Sequence, residues 1–153
     1  MFQPEADPPR AENVRCKNMT CIFCKIIAGE IPAHKIYENH HAVAFLDIQP
    51  INPGHALIVP REHHQDLLSA PLEVLRDIMG AAQIIAPAIV KAVGADGFNL
   101  ALNNGEAAGQ AVFHTHFHCI PRFADDGLRH WPRKNYAAEE AEALAGKIRE
   151  QLR

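Results

Sequence analysis

The sequence predicts an α+β fold: a largely antiparallel sheet of five short strands around one long helix. Three observations carry that expectation. Short runs rich in Val, Ile, Leu and Phe, such as HAVAFLDI and HALIVP, are bounded by Pro, Gly and Asn, as strands joined by tight turns are. One stretch, from Ser69 to Gly94, spaces its apolar residues by three and four, the period of a helix with one buried face. The loops between most of the runs are too short for the crossovers of a parallel sheet. At 153 residues, with 48% hydrophobic and 22% charged, the chain has the size and composition of one globular domain.

Taken in order, Cys21 to Ala28 has the length of one or two helical turns, and GEIPAHKIYEN then supplies turn residues and a first strand. HAVAFLDI, His41 to Ile48, is the second strand. PINPGHALIVP leads into a third that ends at Pro60, so the three form a meander. Ser69 is placed to cap the long helix and Pro71 falls in its first turn, ahead of an apolar face of Leu72, Leu75, Met79, Ala82, Ala86, Ile89 and Val93. Pro87 removes a backbone donor within that helix and is expected to kink it, and Gly94 and Gly97 end it. FNLALNN reads as strand four. AVFHTHFHCIPRF reads as strand five, alternating up to Pro121, where the missing N–H ends regular pairing or marks an edge. A last helix spans Ala137 to Leu152, with Ala141, Leu144, Ala145, Ile148 and Leu152 on one face. The expected organisation is a flexible tail over 1–19, one domain over 20–128 and a C-terminal extension over 129–153. The patterned sequence starts near MTCIFC, which makes Met19 an alternative working start.

Net charge is −3, with Lys and Arg scattered, so a nucleic acid lying on a basic face is not the expected partner. The stretch AAQIIAPAIV is too short for a membrane span, and Pro87 interrupts it. The first 19 residues carry acidic groups and prolines in place of the apolar core of a secretory signal. A cytoplasmic protein is expected, and in that compartment the four cysteines are thiols or metal ligands rather than a disulfide framework.

Chemistry concentrates in HTHFHC. On a strand, His114, His116 and His118 share one face, roughly 6.5 to 7 Å apart along the backbone. Three readings fit that row. A middle imidazole, His116, can attack phosphorus while its neighbours bind or orient the group. The row can instead hold a catalytic metal with an open position, or it can be a polar surface face. CIFC adds two thiols three apart, Cys21 and Cys24, which fit one Zn²⁺ with two further ligands. Candidate partners are His63, His64 and the histidine row; a redox dithiol or two buried thiols are the alternatives.

GQAVFHTHFHCIPR resembles the histidine triad motif, His-φ-His-φ-His-φ-φ with φ apolar, and Thr115 departs from it at the first φ. CIFCKIIAGEIPAHKIYENHHAVAFLDIQPINPGHALIVPREHH resembles the N-terminal half of the same HIT family, in its Hint-like branch. The resemblance, over Cys21 to Phe123, implies an α+β meander whose five-stranded antiparallel sheet continues across a homodimer, with the long helix at the interface. It implies attack of His116 on the α-phosphate of a purine nucleoside phosphoramidate or other AMP conjugate, giving a nucleotidyl-histidine that water resolves. His118 and Gln110 would hold the phosphate oxygens, Asp47 the ribose hydroxyls, Phe23, Phe45 and Ile48 the base, and Asn103 would lie near the phosphate. A structural zinc would be bound by Cys21, Cys24, His63 and His114. Trp131, in RHWP, would reach the partner subunit's site. Hydrolysis of dinucleoside polyphosphates and nucleotide binding with incidental catalysis are the competing functions.

Overall fold

The computed structural model describes residues 20–129 and 131–152; the expected tail over 1–19, with its alternative start, lies outside them. The elements in chain order are α1 (Ile22–Ile27), β1 (Lys35–Glu38), β2 (Ala42–Leu46), β3 (Ala56–Pro60), α2 (Leu72–Val93), β4 (Gly97–Leu102), a 3₁₀ turn (Glu106–Ala108), β5 (Phe117–Arg122) and α3 (Glu140–Gln151). All strand pairs are antiparallel, in the order β1-β2-β3-β5-β4. The sheet is therefore five-stranded and antiparallel as expected, but it is not one continuous meander. β5 inserts between β3 and β4, so β3 and β4 run in the same direction, and α2 supplies the long crossover between them.

β2 and β3 are apolar throughout because both faces of the sheet are covered. Ala42, Ala44, Ala56, Ile58 and Cys119 face α2 and meet its Ile78, Ala81, Ala82, Ile85 and Ala86. The alternate residues, Val43, Phe45, Leu57 and Val59, face α1 and pack against Phe23, Cys24, Ile26 and Ile27. Small residues on both the helix and the sheet bring the two backbones close. Gly54 shows how close: it has φ +89°, and a Cβ there would meet Val93 Cγ1 at 2.9 Å and Pro121 Cγ at 3.2 Å, so the turn before β3 requires glycine on both counts.

Three details differ from the sequence reading. Pro71, rather than Ser69, holds the N-cap position of α2; Ser69 instead closes a turn with Asp66, each backbone N–H bonded to the other's side chain at 2.9 and 3.1 Å. The inward face of α2 includes Ile78, Ala81 and Ile85, while Leu72 and Met79 are 57% and 38% exposed. The larger apolar residues on that side had drawn the expected stripe outward. α2 includes Pro87 within its span and ends, as expected, at Gly94 in the left-handed conformation. The fifth strand begins only at Phe117, because Thr115 gives both its N–H and its hydroxyl to the His64 carbonyl, at 2.6 and 3.0 Å. His114 and His116 thus precede the strand. At Pro121 pairing with β4 continues opposite Phe98, whereas pairing with β3 stops at Cys119 opposite Ala56, so the proline lies where β5 has a free edge.

α3 buries none of its residues; Ile148 and Leu152 are 59% and 78% exposed. Among the described residues, no helix is long and apolar enough to cross a membrane.

Candidate active site and metal-ligand cluster

The chemistry collects on the α1 face of the sheet, where strand alternation puts Leu57, Phe45 and the residues in phase with them. His118 pairs opposite Leu57, and His55 and Asp47 lie two residues from Leu57 and Phe45 at the adjoining ends of β3 and β2. The backbone joins those ends, with Asp47 N–H donating to the His55 carbonyl at 2.9 Å. His116 follows from the segment tied to His64, and its ring lies 5.0 Å from that of His118.

Two of the triad rings have their tautomers set by the main chain. His114 is fully buried, and its Nε2 lies 2.9 Å from the Pro60 carbonyl. Since a carbonyl only accepts, Nε2 carries the proton and Nδ1 keeps its lone pair. That Nδ1 faces Cys21 Sγ at 3.5 Å and Cys24 Sγ at 3.6 Å. His116 Nδ1 lies 2.7 Å from the His114 carbonyl, so the proton sits on Nδ1 and the lone pair on Nε2. Burial holds both rings toward the neutral form: it lowers His114 to about 4, against the raising effect of Pro60, and it lowers His116 despite the His114 carbonyl and Asp47. Burial also lowers His118 to about 4, with His116 and His55 adding to it and Asp47 opposing. The same desolvation lowers His55 and His63.

Cys21, Cys24, His63 and His114 bring their donor atoms within 4.8 Å of one another. The fit to a tetrahedral ion can be tested on distances. Zn–S near 2.3 Å and Zn–N near 2.1 Å place sulfur and nitrogen about 3.6 Å apart at the tetrahedral angle. The observed separations are 3.4 Å from Cys24 Sγ to His63 Nδ1, and 3.5 and 3.6 Å to His114. The residues therefore fit a metal, and His63, not His64, is the histidine that joins them. Phe23 separates this cluster from the row beyond it, its ring edge-on to His114 at 5.9 Å and to His116 at 5.1 Å.

The remaining expected site residues divide. Phe23 and Phe45 are 6% and 3% exposed and pack edge to face at 5.6 Å, forming the floor under the imidazoles, while Ile48 is 90% exposed. Asp47 accepts the Gln49 N–H at 2.8 Å through Oδ1, and its Oδ2 lies 3.7 Å from His55 Nε2. Asn103 reaches across the glycine loop to the Gly109 carbonyl at 3.5 Å. Gln110 is tied into its own loop. Its side chain is buried; Oε1 accepts the Gly105 N–H at 2.8 Å, and Nε2 donates to the Gln65 carbonyl at 2.7 Å and the Val112 carbonyl at 3.2 Å. Both amide hydrogens meet backbone carbonyls, so Gln110 shapes the loop that carries it. Thr115, the departure from the apolar motif, is satisfied by its bond to His64.

His55 was missed. It is 2% exposed and its Nε2 lies 2.9 Å from His118 Nδ1. The available signal was a histidine immediately before an apolar strand, the counterpart of Asp47 immediately after one.

This fold, with a buried imidazole row on one sheet face and a Cys₂His₂ cluster at its start, defines a histidine triad protein. Residues 28–125 match the HIT domain, and the chain belongs to the HIT family. It is 43% identical, over 86% of its length and 69% of the relative's, to the adenylylsulfatase HINT3 of Arabidopsis thaliana. It is 39% identical, over 88% of its length and 100% of the relative's, to the adenosine 5'-monophosphoramidase hnt1 of Schizosaccharomyces pombe. A Zn-bound histidine triad family protein from Mycobacterium smegmatis has a crystal structure that superposes with a TM-score of 0.70 at 39% identity, covering 88% of this chain and 96% of that one.

Proposed function

We propose that the protein is a nucleotide hydrolase or transferase that acts on the α-phosphate of AMP conjugates, a purine nucleoside phosphoramidase in its best-supported form. One observation carries this reading: His116 gives its Nδ1 proton to the His114 carbonyl at 2.7 Å and so keeps a lone pair on Nε2, as a nucleophile requires. That nitrogen attacks the α-phosphorus, an N–P bond forms, and the bond to the leaving group breaks as the leaving group takes a proton from solvent. Water then cleaves the N–P bond, releasing AMP and the free imidazole. His118 stabilises the charge developing on the phosphate oxygens, which is the larger part of phosphoryl-transfer catalysis. The backbone N–H groups of the GEAAGQ loop, held in place by Gln110 and Asn103, supply further donors. Asp47 accepts from the ribose hydroxyls, and the exposed Ile48 beside it gives the base an apolar contact. The named activities of the two enzyme relatives share an adenylyl group with different leaving groups, which supports the conjugate class.

Zinc is the metal the Cys₂His₂ cluster suits. It would be held by Cys21, Cys24, His63 and His114 as a closed structural site that ties α1 to the segment carrying His116. A homodimer is the expected assembly. Leu72, Met79 and Ile84 on the outer side of α2 and Phe98 on the edge strand β4 are 57%, 38%, 58% and 45% exposed, a face that a second copy would cover. Trp131, 82% exposed, would then reach the partner subunit's site.

The test is turnover of adenosine 5'-phosphoramidate by the wild-type protein and by His116→Gly. The wild type releases AMP, and the variant loses on the order of 10⁴-fold or more in kcat, as removal of a nucleophile does. AMP release undiminished in the variant would overturn the reading.

A further inference from the structure

We propose that Thr115 is a positioning residue: its hydroxyl clamps the His64 carbonyl and thereby fixes the peptide group that holds the His116 ring. Thr115 stands where the triad pattern asks for an apolar side chain. It is also fully buried, where an alcohol costs stability unless it is hydrogen-bonded. An apolar residue of the same shape would fill the space without that cost, so the bond the hydroxyl makes is the feature to explain.

One peptide group joins the two ends of this arrangement. Its N–H, from Thr115, donates to the His64 carbonyl at 2.6 Å. Its carbonyl, from His114, accepts the Nδ1 proton of His116 at 2.7 Å. In a trans peptide these two groups point opposite ways from one rigid plane, so a tilt at the His64 end is carried to the His116 ring. The Thr115 hydroxyl reaches the same His64 oxygen at 3.0 Å and fills its second lone pair. Two donors from one residue hold the plane against rocking about a single bond. The sheet does not supply this restraint: the pairing of β5 with β3 and with β4 begins at Phe117, opposite Ile58 and Leu102. The Phe23 and His118 rings meet His116 edge-on at 5.1 and 5.0 Å, contacts that set its place more than its rotation.

The consequence is functional because the Nε2 lone pair must point along the line of attack on phosphorus. A ring that turns on its Nδ1 anchor keeps its nucleophile but misaims it. Loss of the hydroxyl therefore lowers kcat and leaves KM nearly constant. The clamp holds whatever the substrate is; its effect on rate rests on the proposed nucleotide reaction.

Thr115→Val removes the hydroxyl at similar volume and restores the apolar residue of the motif, whereas Thr115→Ser keeps the hydroxyl. In the full-length protein, solvent exchange of the His116 Nδ1 proton, followed by ¹⁵N-edited spectra, reads the hold on the ring. Measurement of kcat and KM on adenosine 5'-phosphoramidate reads the consequence. Thr115→Val exchanges that proton faster and turns over more slowly, each by about fivefold, the worth of one net hydrogen bond, at nearly constant KM; Thr115→Ser recovers most of both. A folded Thr115→Val with wild-type exchange overturns the proposal. So does faster exchange with kcat unchanged, or a folded Thr115→Ser that is as slow as Thr115→Val. The wild type alone tests the anchor: a scalar coupling is expected across the hydrogen bond from the Thr115 amide to the His64 carbonyl, and its absence overturns the proposal even if neither variant folds. Absence of turnover in the wild type, with exchange responding as stated, overturns the nucleotide reaction and leaves the clamp standing.

Discussion

Two imidazole clusters share the short segment from His114 to His118, and they differ in what each ring's second nitrogen touches. His114 turns its lone pair toward two sulfurs and a second imidazole, a closed set of soft donors. His116 and His118 turn theirs away from sulfur, and their neighbours are a backbone carbonyl, another histidine and a carboxylate. Phe23 stands between the two groups. The lesson is that residue type does not assign a role here. The carbonyl of Pro60 leaves the lone pair of His114 on Nδ1, and the carbonyl of His114 leaves that of His116 on Nε2. The backbone of His114 therefore orients the ring of His116, and under the proposed function the metal-ligand cluster and the reaction are joined at that one residue.

That division can be broken at either end. Cys24→Ser takes a sulfur from the closed cluster; metal analysis should show loss of a stoichiometric zinc. If zinc is present at 100 times its Kd, its loss removes about 2.7 kcal/mol, roughly 8 °C in Tm for a chain of this size. A Cys24→Ser protein as stable as the wild type, with zinc absent from both, would remove the metal from the account. Gln110→Leu is next. It strands the Gly105 N–H and the Gln65 carbonyl, and thermal melts should show a loss of about 1–3 kcal/mol. Lower kcat at unchanged stability would instead support Gln110 as a phosphate ligand.

Asp47→Asn sharpens the open side. It should raise KM for the AMP conjugate about tenfold, the value of a hydrogen bond to a charged group. The 2'-deoxy substrate should lose less, because one of the two ribose hydroxyls is already missing; equal KM changes for both would place Asp47 elsewhere. The smallest effect is on pH. Burial, His116 and His55 lower His118 to about 4 while Asp47 opposes them. The unfolded ring therefore binds a proton that the folded ring refuses between about 6.5 and about 4. Its contribution to stability is present in full above that window and falls as pH drops through it. Urea unfolding at pH 7 and pH 5 should show a pH difference smaller in His118→Asn, by on the order of 1 kcal/mol. An unchanged difference would contradict the assignment.

Much of this was legible because it was local or doubly marked. The strands β2 and β3 alternate between two covered faces and so read as apolar runs whichever face is considered. For the cluster of Cys21, Cys24, His63 and His114 the paired thiols and the histidine row each narrowed the choice, and the family resemblance singled out His63 and His114, which the coordinates bring together with the cysteines. What failed depended on distant partners. His55 meets His118 across 63 residues through the register of β3 on β5, which no local pattern carries. The bonds of Gln110 to the Gln65 and Val112 carbonyls likewise depend on how the chain folds back, and no local pattern shows them. In α2, the face that meets the sheet is rich in alanine, and the larger Leu72 and Met79 point outward, so size misled where closeness of packing decided.

The central claim is that His116 is the residue that becomes covalently bound to the nucleotide. His118→Ala slows the reaction without removing that nitrogen, so it is the protein in which to look. Mixed with adenosine 5'-phosphoramidate and quenched early, it should gain the mass of one adenylyl group, and peptide mapping should place that mass on His116. Continued AMP release with no adduct at any time, or with the adduct on another side chain, would contradict the account.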